Sequence, residues 1–250
     1  MARPKKQVIL FLVEGRSDRD ALERPLQKIL ETSETGIEAA FLVAETDVTS
    51  DIRNTPDNIL QKINRFYFEP FFSANDFYYP KDIMEVVQIC DLDGAFIPEE
   101  NCRMFTETIF AEKGFIYEPP LIYGESAESV IARNSAKAAN IRFLLEQPTI
   151  KVKTKTVPYT LYFFSTNIDH FLHDKLNLAG RDKVSLAESF ADAMEEDEKK
   201  LIEFFNESTY SVKESTLSES WLSVMEGTNS LSRGTNFNLY LERLQAKLTK

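Results

Sequence analysis

The sequence predicts an α/β protein with a mainly parallel sheet flanked by helices, and three observations lead there. Short apolar and β-branched runs recur along the chain: "VILFLV", "AAFLVA", "VVQIC" and "YTLYFF". Continuous runs of this kind are strands buried on both faces, as parallel sheets require. Segments with apolar residues at helical spacing separate them, which is the alternation of α/β folds. Two of the runs end directly in acids, "VILFLVEGRSD" in Glu14 and Asp18 and "VVQICDLDG" in Asp91 and Asp93. Ligand sites of open α/β sheets lie beyond such strand ends.

Taken in order, the first strand covers Val8 to Val13, and Gly15 follows as a turn residue. Ser17, with Asp20 three residues on, has the pattern of a helix N-cap with an acidic partner. The helix carries Ala21, Leu22, Leu26, Ile29 and Leu30 at helical spacing. Pro25 lies inside it and is expected to kink or divide it, because proline has no N–H to give the ladder. "AAFLVAETD" is a second strand ending near Glu45 and Asp47. "TPDNILQKINRFYFEPFF" predicts a helix starting near Pro56, with the proline in its first turn, and a connection from Ser73 to Asp82 follows. The third strand is Glu85 to Cys90.

From Pro98 to about Pro148 the chain reads as mainly helical. Its clearest helix is the alanine-rich "ESAESVIARNSAKAANIRFLLEQ", ended by Pro148. A fourth strand, "YTLYFFS", runs into "TNIDHFLHDKLNL". Beyond it Leu186, Phe190, Met194, Leu201 and Phe205 share an apolar face, and a last helix spans about Asn236 to Leu248. The run Glu195, Glu196, Asp197 and Glu198 is the wet side of the first of these helices. The expected organisation is an α/β domain over 1–175, with a helical insertion at about 98–155. A helical extension over 176–250 packs on the core.

Composition narrows the class. The 250 residues are 43% hydrophobic and 28% charged, ordinary for a globular protein. No apolar run approaches the roughly 20 residues that span a membrane. The opening "MARPKKQVILFLVEG" imitates a secretory signal but is too short and lacks a small-residue cleavage site, so a cytoplasmic protein is expected. Cys90 and Cys102 make no disulfide framework and no zinc spacing. A net charge of -11 argues against coating nucleic acid by bulk electrostatics. It leaves room for an enzyme that approaches nucleic acid through bound cations and a local basic strip. "KVKTK", with Lys151, Lys153 and Lys155, offers such a strip, or else an edge whose alternating lysines discourage pairing.

Acids crowded at two strand ends cannot all stay ionised cheaply without a cation, and hard oxygen ligands suit Mg²⁺ or Mn²⁺. Asp91 and Asp93 leave a strand as the chain turns, so both can face one site. Without metal the pair should titrate as a unit with one proton held up. The plainer alternative is a turn, where Asp and Gly are common.

These residues resemble the TOPRIM domain, the metal-binding fold shared by topoisomerases, primases and small standalone nucleases. The family has a strand ending in Glu-Gly, often followed by Ser-Asp and a helix, and a later strand ending in Asp-x-Asp. Here those elements are Glu14-Gly15 with Ser17-Asp18, and Asp91-Leu92-Asp93-Gly94. The resemblance covers about Val8 to His173 and leaves the insertion and the C-terminal helices unexplained. It implies a TOPRIM-like (Rossmann-like) sheet in which Glu14, Asp91 and Asp93 hold Mg²⁺ or Mn²⁺. Glu14 and Asp18 then serve the chemistry, Glu14 as ligand or general acid/base. A looser similarity of "FSTNIDHFL" to the Ser-x-Asn motif of some standalone TOPRIM nucleases adds Ser165, Asn167 and Asp169. Asp18 or Asp169 could hold a second ion. The implied activity is metal-dependent hydrolysis of DNA or RNA phosphodiesters, in phage defence or RNA processing. No strand-passing tyrosine and no primase-type zinc module is present.

Each candidate has a plainer role. Asp18 in a first helical turn is stabilised by the helix dipole without any ligand. His170 and His173 invite a metal or base role but also fit ordinary packing. Asp47 ends the second strand. Arg16 and Lys81 could meet phosphates, and the aromatics of "NRFYFEPFF" could stack bases or simply fill core. Cys90 fits buried strand packing. Two other functions fit the sequence. One is a non-cleaving module that binds nucleic acid or docks on a partner ATPase, which would be a separate chain because no GxxxxGK[ST] loop is present. The other is a haloacid-dehalogenase-like phosphatase with Asp91 as nucleophile. Against the latter stand Ala95, where a small hydroxyl residue is usual, and the motif's place on the third strand.

Overall fold

The computed structural model describes residues 7–33, 35–44, 46–105, 114–214 and 216–248. The first apolar run forms β1 (Gln7–Val13), and Val8 to Val13 are wholly buried. Helix α1 (Arg16–Thr32) follows without division at Pro25. Its cap differs from the expectation: extended Gly15 is the N-cap, and its N–H donates to Asp18 Oδ2 at 2.8 Å. Ser17 and Asp20 therefore lie within the helix, because the acid three residues after the glycine satisfies the free backbone donor.

Strand β2 (Ile37–Val43) ends before Asp47, and Glu45 falls outside the described residues. The next helical segment starts later than expected, at Ile59. It runs as α2 (Ile59–Ile63), a π-helical turn over Asn64–Phe68, and α3 (Glu69–Ala74). Strand β3 (Ile83–Asp91) is the third apolar run. The insertion opens with strands rather than helix: β4 (Cys102–Met104), β5 (Ile116–Glu118) and β6 (Leu121–Gly124). Pro119 and Pro120 separate β5 from β6, and adjacent prolines cannot continue a helix there. Helix α4 (Ala127–Leu145) then matches the alanine-rich run, and the Ser126 hydroxyl accepts from the Ser129 N–H at its N-terminus.

A hairpin of β7 (Thr149–Val152) and β8 (Lys155–Phe164) carries the lysine strip at the sheet edge, with Lys151 and Lys153 exposed. Among the described residues five α-helices follow: α5 (Ile168–His173), α6 (Gly180–Glu195), α7 (Lys200–Glu207), α8 (Leu217–Val224) and α9 (Phe237–Leu248).

The central sheet has the order β2-β1-β3-β8-β7, with every pair parallel except the β7–β8 hairpin. A smaller sheet, β4-β6-β5, stands beside it. Alternation along the strands divides the core in two. Leu10, Leu12, Val86, Leu161 and Phe163 pack against Ile59, Phe68, Ile141 and Trp221 on one face. Ile9, Phe11, Val87, Tyr162 and Phe164 pack on the other against α1, α5, α6, α7 and α9. The C-terminal helices thus form part of the main core. Tyr240 of α9 meets Phe11 edge-on at 5.4 Å, and Arg243 and Lys247 hold the buried Glu85 carboxylate at 2.9 and 3.0 Å. Among the described residues no helix is long and apolar enough to cross a membrane.

Candidate functional site

Three neighbouring parallel strands, β2, β1 and β3, deliver acids to the same end of the sheet. Glu14 follows β1 directly, Asp47 lies in the loop after β2, and Asp93 follows β3. One carboxylate oxygen from each lies within 4.8 Å of the others. Backbone geometry fixes Asp93: it takes a left-handed conformation (φ 51°), as does Gly94 (φ 70°). Aspartate and glycine tolerate that region better than most residues. The N–H groups of Leu92, Asp93 and Gly94 donate to the carbonyls of Phe164, Thr166 and Ser230. The turn is therefore clamped from β8 and from the C-terminal segment.

Asp47 is held by its own loop. Its Oδ1 accepts from Thr49 N (2.8 Å) and Thr49 Oγ1 (2.7 Å), and its Oδ2 accepts from Ser50 Oγ. Asn140 of α4 anchors that loop by donating to the carbonyls of Thr49 and Asn54.

At the centre stands Lys137 of α4, fully buried. Its Nζ lies 2.7 Å from Asp93 Oδ2, 2.9 Å from Asp47 Oδ2 and 3.4 Å from Glu14 Oε2. Four residues earlier on the same helix, Arg133 Nη2 donates to the Asp93 carbonyl at 3.1 Å. Tyr117 donates its hydroxyl to Asp93 Oδ1 at 2.8 Å.

A second group adjoins the first. Asp169 forms an ion pair with Lys183 of α6 at 3.0 Å. The Asp18 and Asp91 charges also act on Lys183, whose affinity for its proton they raise against the opposing effect of burial. Asp91, Asp93, Tyr117, Asn167, Asp169 and Lys183 line one cleft of about 450 Å³.

The electrostatics divide the acids. Burial pushes the Glu14 carboxyl well up, and the neighbouring Asp47 charge adds to this against the pull of Lys137. Burial likewise raises Asp91 well above the usual carboxylate range, reinforced by Asp18 and Asp93. Burial also raises Asp18, against Lys183 and the Gly15 N–H. For Asp47 burial pushes upward too, but the Lys137 charge and the bonds from Lys137, Ser50 and Thr49 win and hold it low. Lys137 keeps its proton because Asp47, Asp93 and Glu14 outweigh its own burial.

The expected residues separate accordingly. Glu14 and Asp93 meet, with Asp47 as the third acid of their group. Asp91 turns to the second group, where its Oδ1 accepts the Ile168 N–H at 3.0 Å at the start of α5. Asp18 caps α1. Asn167 caps α5 by accepting from the His170 N–H at 2.9 Å, while also lining the cleft. Ser165 is buried, with its N–H on the Gly234 carbonyl. His170 contacts Thr166 and Asp174, not the acid clusters, and burial lowers its pKa. His173 packs edge-on against Phe190. Lys81 lies over the Tyr79 ring. Cys90 is buried, its thiol directed at the Tyr162 carbonyl.

Sequence reasoning missed Lys137, Arg133, Tyr117 and Lys183. One signal was present. On α4, Arg133 and Lys137 fall on the same stripe as Val130, Ile141 and Leu144, where a solvated cation would not be placed.

Comparison of the chain with protein-family models, with curated proteins and with solved structures finds no match. What fold and site define is an α/β protein that gathers carboxylates and buried cations at the C-terminal edge of a mainly parallel sheet.

Proposed function

We propose that this protein is a divalent-cation-dependent nuclease hydrolysing phosphodiester bonds of DNA or RNA. The observation that carries this reading is the convergence of Glu14, Asp47 and Asp93 from three strand ends to within 4.8 Å. The donor set fits Mg²⁺ or Mn²⁺: all three groups offer hard oxygens. Charge fits as well. Six carboxyl groups (Glu14, Asp18, Asp47, Asp91, Asp93, Asp169) face three fixed cations (Arg133, Lys137, Lys183), and burial holds Glu14, Asp18 and Asp91 toward their neutral forms, so a divalent ion would supply the charge that lets more of them ionise.

In this reading Glu14, Asp47 and Asp93 hold the ion, and Asp47 takes the ligand position first expected of Asp91. A bound divalent ion supplies Lewis acidity toward phosphate and water. The chain's own residues do the rest. Lys137 holds the Asp93 carboxylate and Arg133 its backbone carbonyl, fixing the direction from which Asp93 would meet the ion. Glu14 is the ligand that also faces the neighbouring cleft. Asp91 positions α5 and hence Asn167 and Asp169 along the cleft.

Lys137 favours a second reading. An ammonium touching all three acids is also what a permanent ion-pair network would contain, as in a non-cleaving module that binds nucleic acid or a partner. The test is cleavage of labelled single- and double-stranded DNA and RNA with Mg²⁺ or Mn²⁺, for wild type and for Asp93→Asn and Asp47→Asn. Metal-dependent cutting lost in both variants supports the nuclease. No cutting with either ion, or variants that cut like wild type, would remove it.

A further inference from the structure

Beside the acid cluster lies a separate cleft of about 780 Å³, lined by Glu14, Arg16, Arg19, Phe41, Phe66 and Pro70 among others. Its volume falls in the range of roughly 300–1,000 Å³ typical of ligand sites. Glu14 belongs both to this cleft and to the carboxylate group, so the two are continuous.

The cations here differ in availability. Arg19 is engaged by Asp20 at 2.7 Å and Glu23 at 3.7 Å. Among the described residues Arg16, exposed at the start of α1, is paired with no acid, and neither is Arg65, which lies 5.7 Å from the Phe66 ring centre. In a chain of net charge -11, Arg16 lining this cleft and Arg65 adjoining its Phe66 mark a place for an anion.

The aromatic wall is built by the π-helical turn over Asn64–Phe68. Tyr67 is buried and donates to the carbonyl of Val13, the residue before Glu14, at 3.2 Å. This ties the turn to the strand end, while Phe66, one residue earlier, stays partly exposed in the cleft. Single π-turns inside helices recur at functional sites.

We propose that this cleft binds one unpaired strand of nucleic acid, stacking a base on Phe66 and meeting the adjoining phosphates with Arg16 and Arg65. An aromatic face with flanking arginines is the chemistry of single-strand recognition. A duplex has its base faces covered by its own stack and gains nothing from Phe66. The proposal rests on the nuclease reading for why Glu14 stands at the end of the cleft, but strand binding itself needs no cleavage.

The experiment is fluorescence anisotropy of the full chain with labelled oligothymidylate and oligouridylate, in Ca²⁺ and again in EDTA, with an unlabelled duplex as competitor. Expected are binding by wild type and weak competition by the duplex. Arg16→Glu and Phe66→Leu should each weaken binding about tenfold or more. Arg16→Ala should lower the salt slope by about one. Lys28→Glu, on the same helix but outside the cleft, should match wild type. Tighter binding of one oligonucleotide assigns RNA or DNA, and either supports the strand site.

Thermal melting of each variant checks folding, and exposed Arg16 has no packing role to confuse the result. No binding of either strand under both conditions, Arg16→Glu no weaker than Lys28→Glu, or a duplex that competes equally would overturn the proposal. Normal strand binding without cutting would remove the nuclease and leave the cleft. Cutting with unchanged KM in Arg16→Glu and Phe66→Leu would do the reverse.

Discussion

Lys137 and Asp93, 44 residues apart in the chain, meet at 2.7 Å with the lysine wholly shielded from solvent. Removing one partner of a buried ion pair leaves an uncompensated charge, at a cost of about 3–5 kcal/mol. Lys137→Met should therefore lower the stability of the metal-free protein by roughly that amount. If the three acids hold a divalent ion, Mg²⁺ restores part of it, about 2.7 kcal/mol at a hundredfold excess over Kd. Chemical denaturation with and without Mg²⁺ measures both. A Lys137→Met variant whose stability Mg²⁺ leaves unchanged would count against the metal reading.

Asp93→Asn keeps a residue that tolerates φ 51° and removes only the charge. It should abolish the Mg²⁺-induced rise in melting temperature, as should Asp47→Asn. His170→Gln should leave that rise intact, since the imidazole touches neither acid group. Differential scanning fluorimetry across a Mg²⁺ titration checks all three. A full Mg²⁺ response in Asp93→Asn would show that the ion binds elsewhere.

The acids also set a pH dependence. Glu14 and Asp91 have pKa values raised above those of the unfolded chain, which are about 4. The stability they contribute is complete below that value and is lost as pH rises through their folded pKa values. Asp47 has the opposite sign. Its contribution is present above about pH 4 and is lost only in stronger acid. As pH rises above about 4, EDTA-treated protein should lose stability from Glu14 and Asp91 while Asp47 stays constant. Asp91→Asn should flatten that loss and raise stability at neutral pH. Melting curves of wild type and variant in EDTA decide it: equal slopes would mean that Asp91 ionises normally in the fold.

Gly94 supports the turn that presents Asp93. A Cβ there would stand 2.6 Å from Ile122 Cδ1 and 3.0 Å from Leu231 Cδ1, on a backbone with φ +70°. Gly94→Ala should cost about 2–5 kcal/mol, strain and crowding together. Gly36→Ala provides the comparison, because φ is +69° and nothing lies within 4 Å. It should cost only the strain, about 1–2 kcal/mol. Equal losses in urea denaturation would show that Ile122 and Leu231 yield freely.

Local pattern carried much of this architecture. The runs that became β1, β3 and the second half of β8 are continuous and apolar because both faces are covered, whereas edge strand β2 buries Ala40 and Leu42 on one face and only half-buries Phe41 and Val43 on the other. The helices α1, α4 and α9 follow from periodicity with its stop signals. Glu14 and Asp93 were legible for the same reason, since a buried strand that ends in an acid leaves that acid at the rim of the sheet. The strands of residues 102–124 were not legible, being three or four residues long and too short to establish a period. The partition of the acids lay beyond the sequence too. Which neighbour Asp91 or Asp47 faces depends on strand order, on a left-handed turn at residue 93, and on a helix that arrives from more than forty residues away. The stripe of α4 places Lys137 on the buried face, but that three carboxylates await it there follows only from the fold. The sequence determined which strands end in acids. The tertiary structure alone decided which acids share a cation, because that is set by distances of a few ångströms between segments remote in the chain.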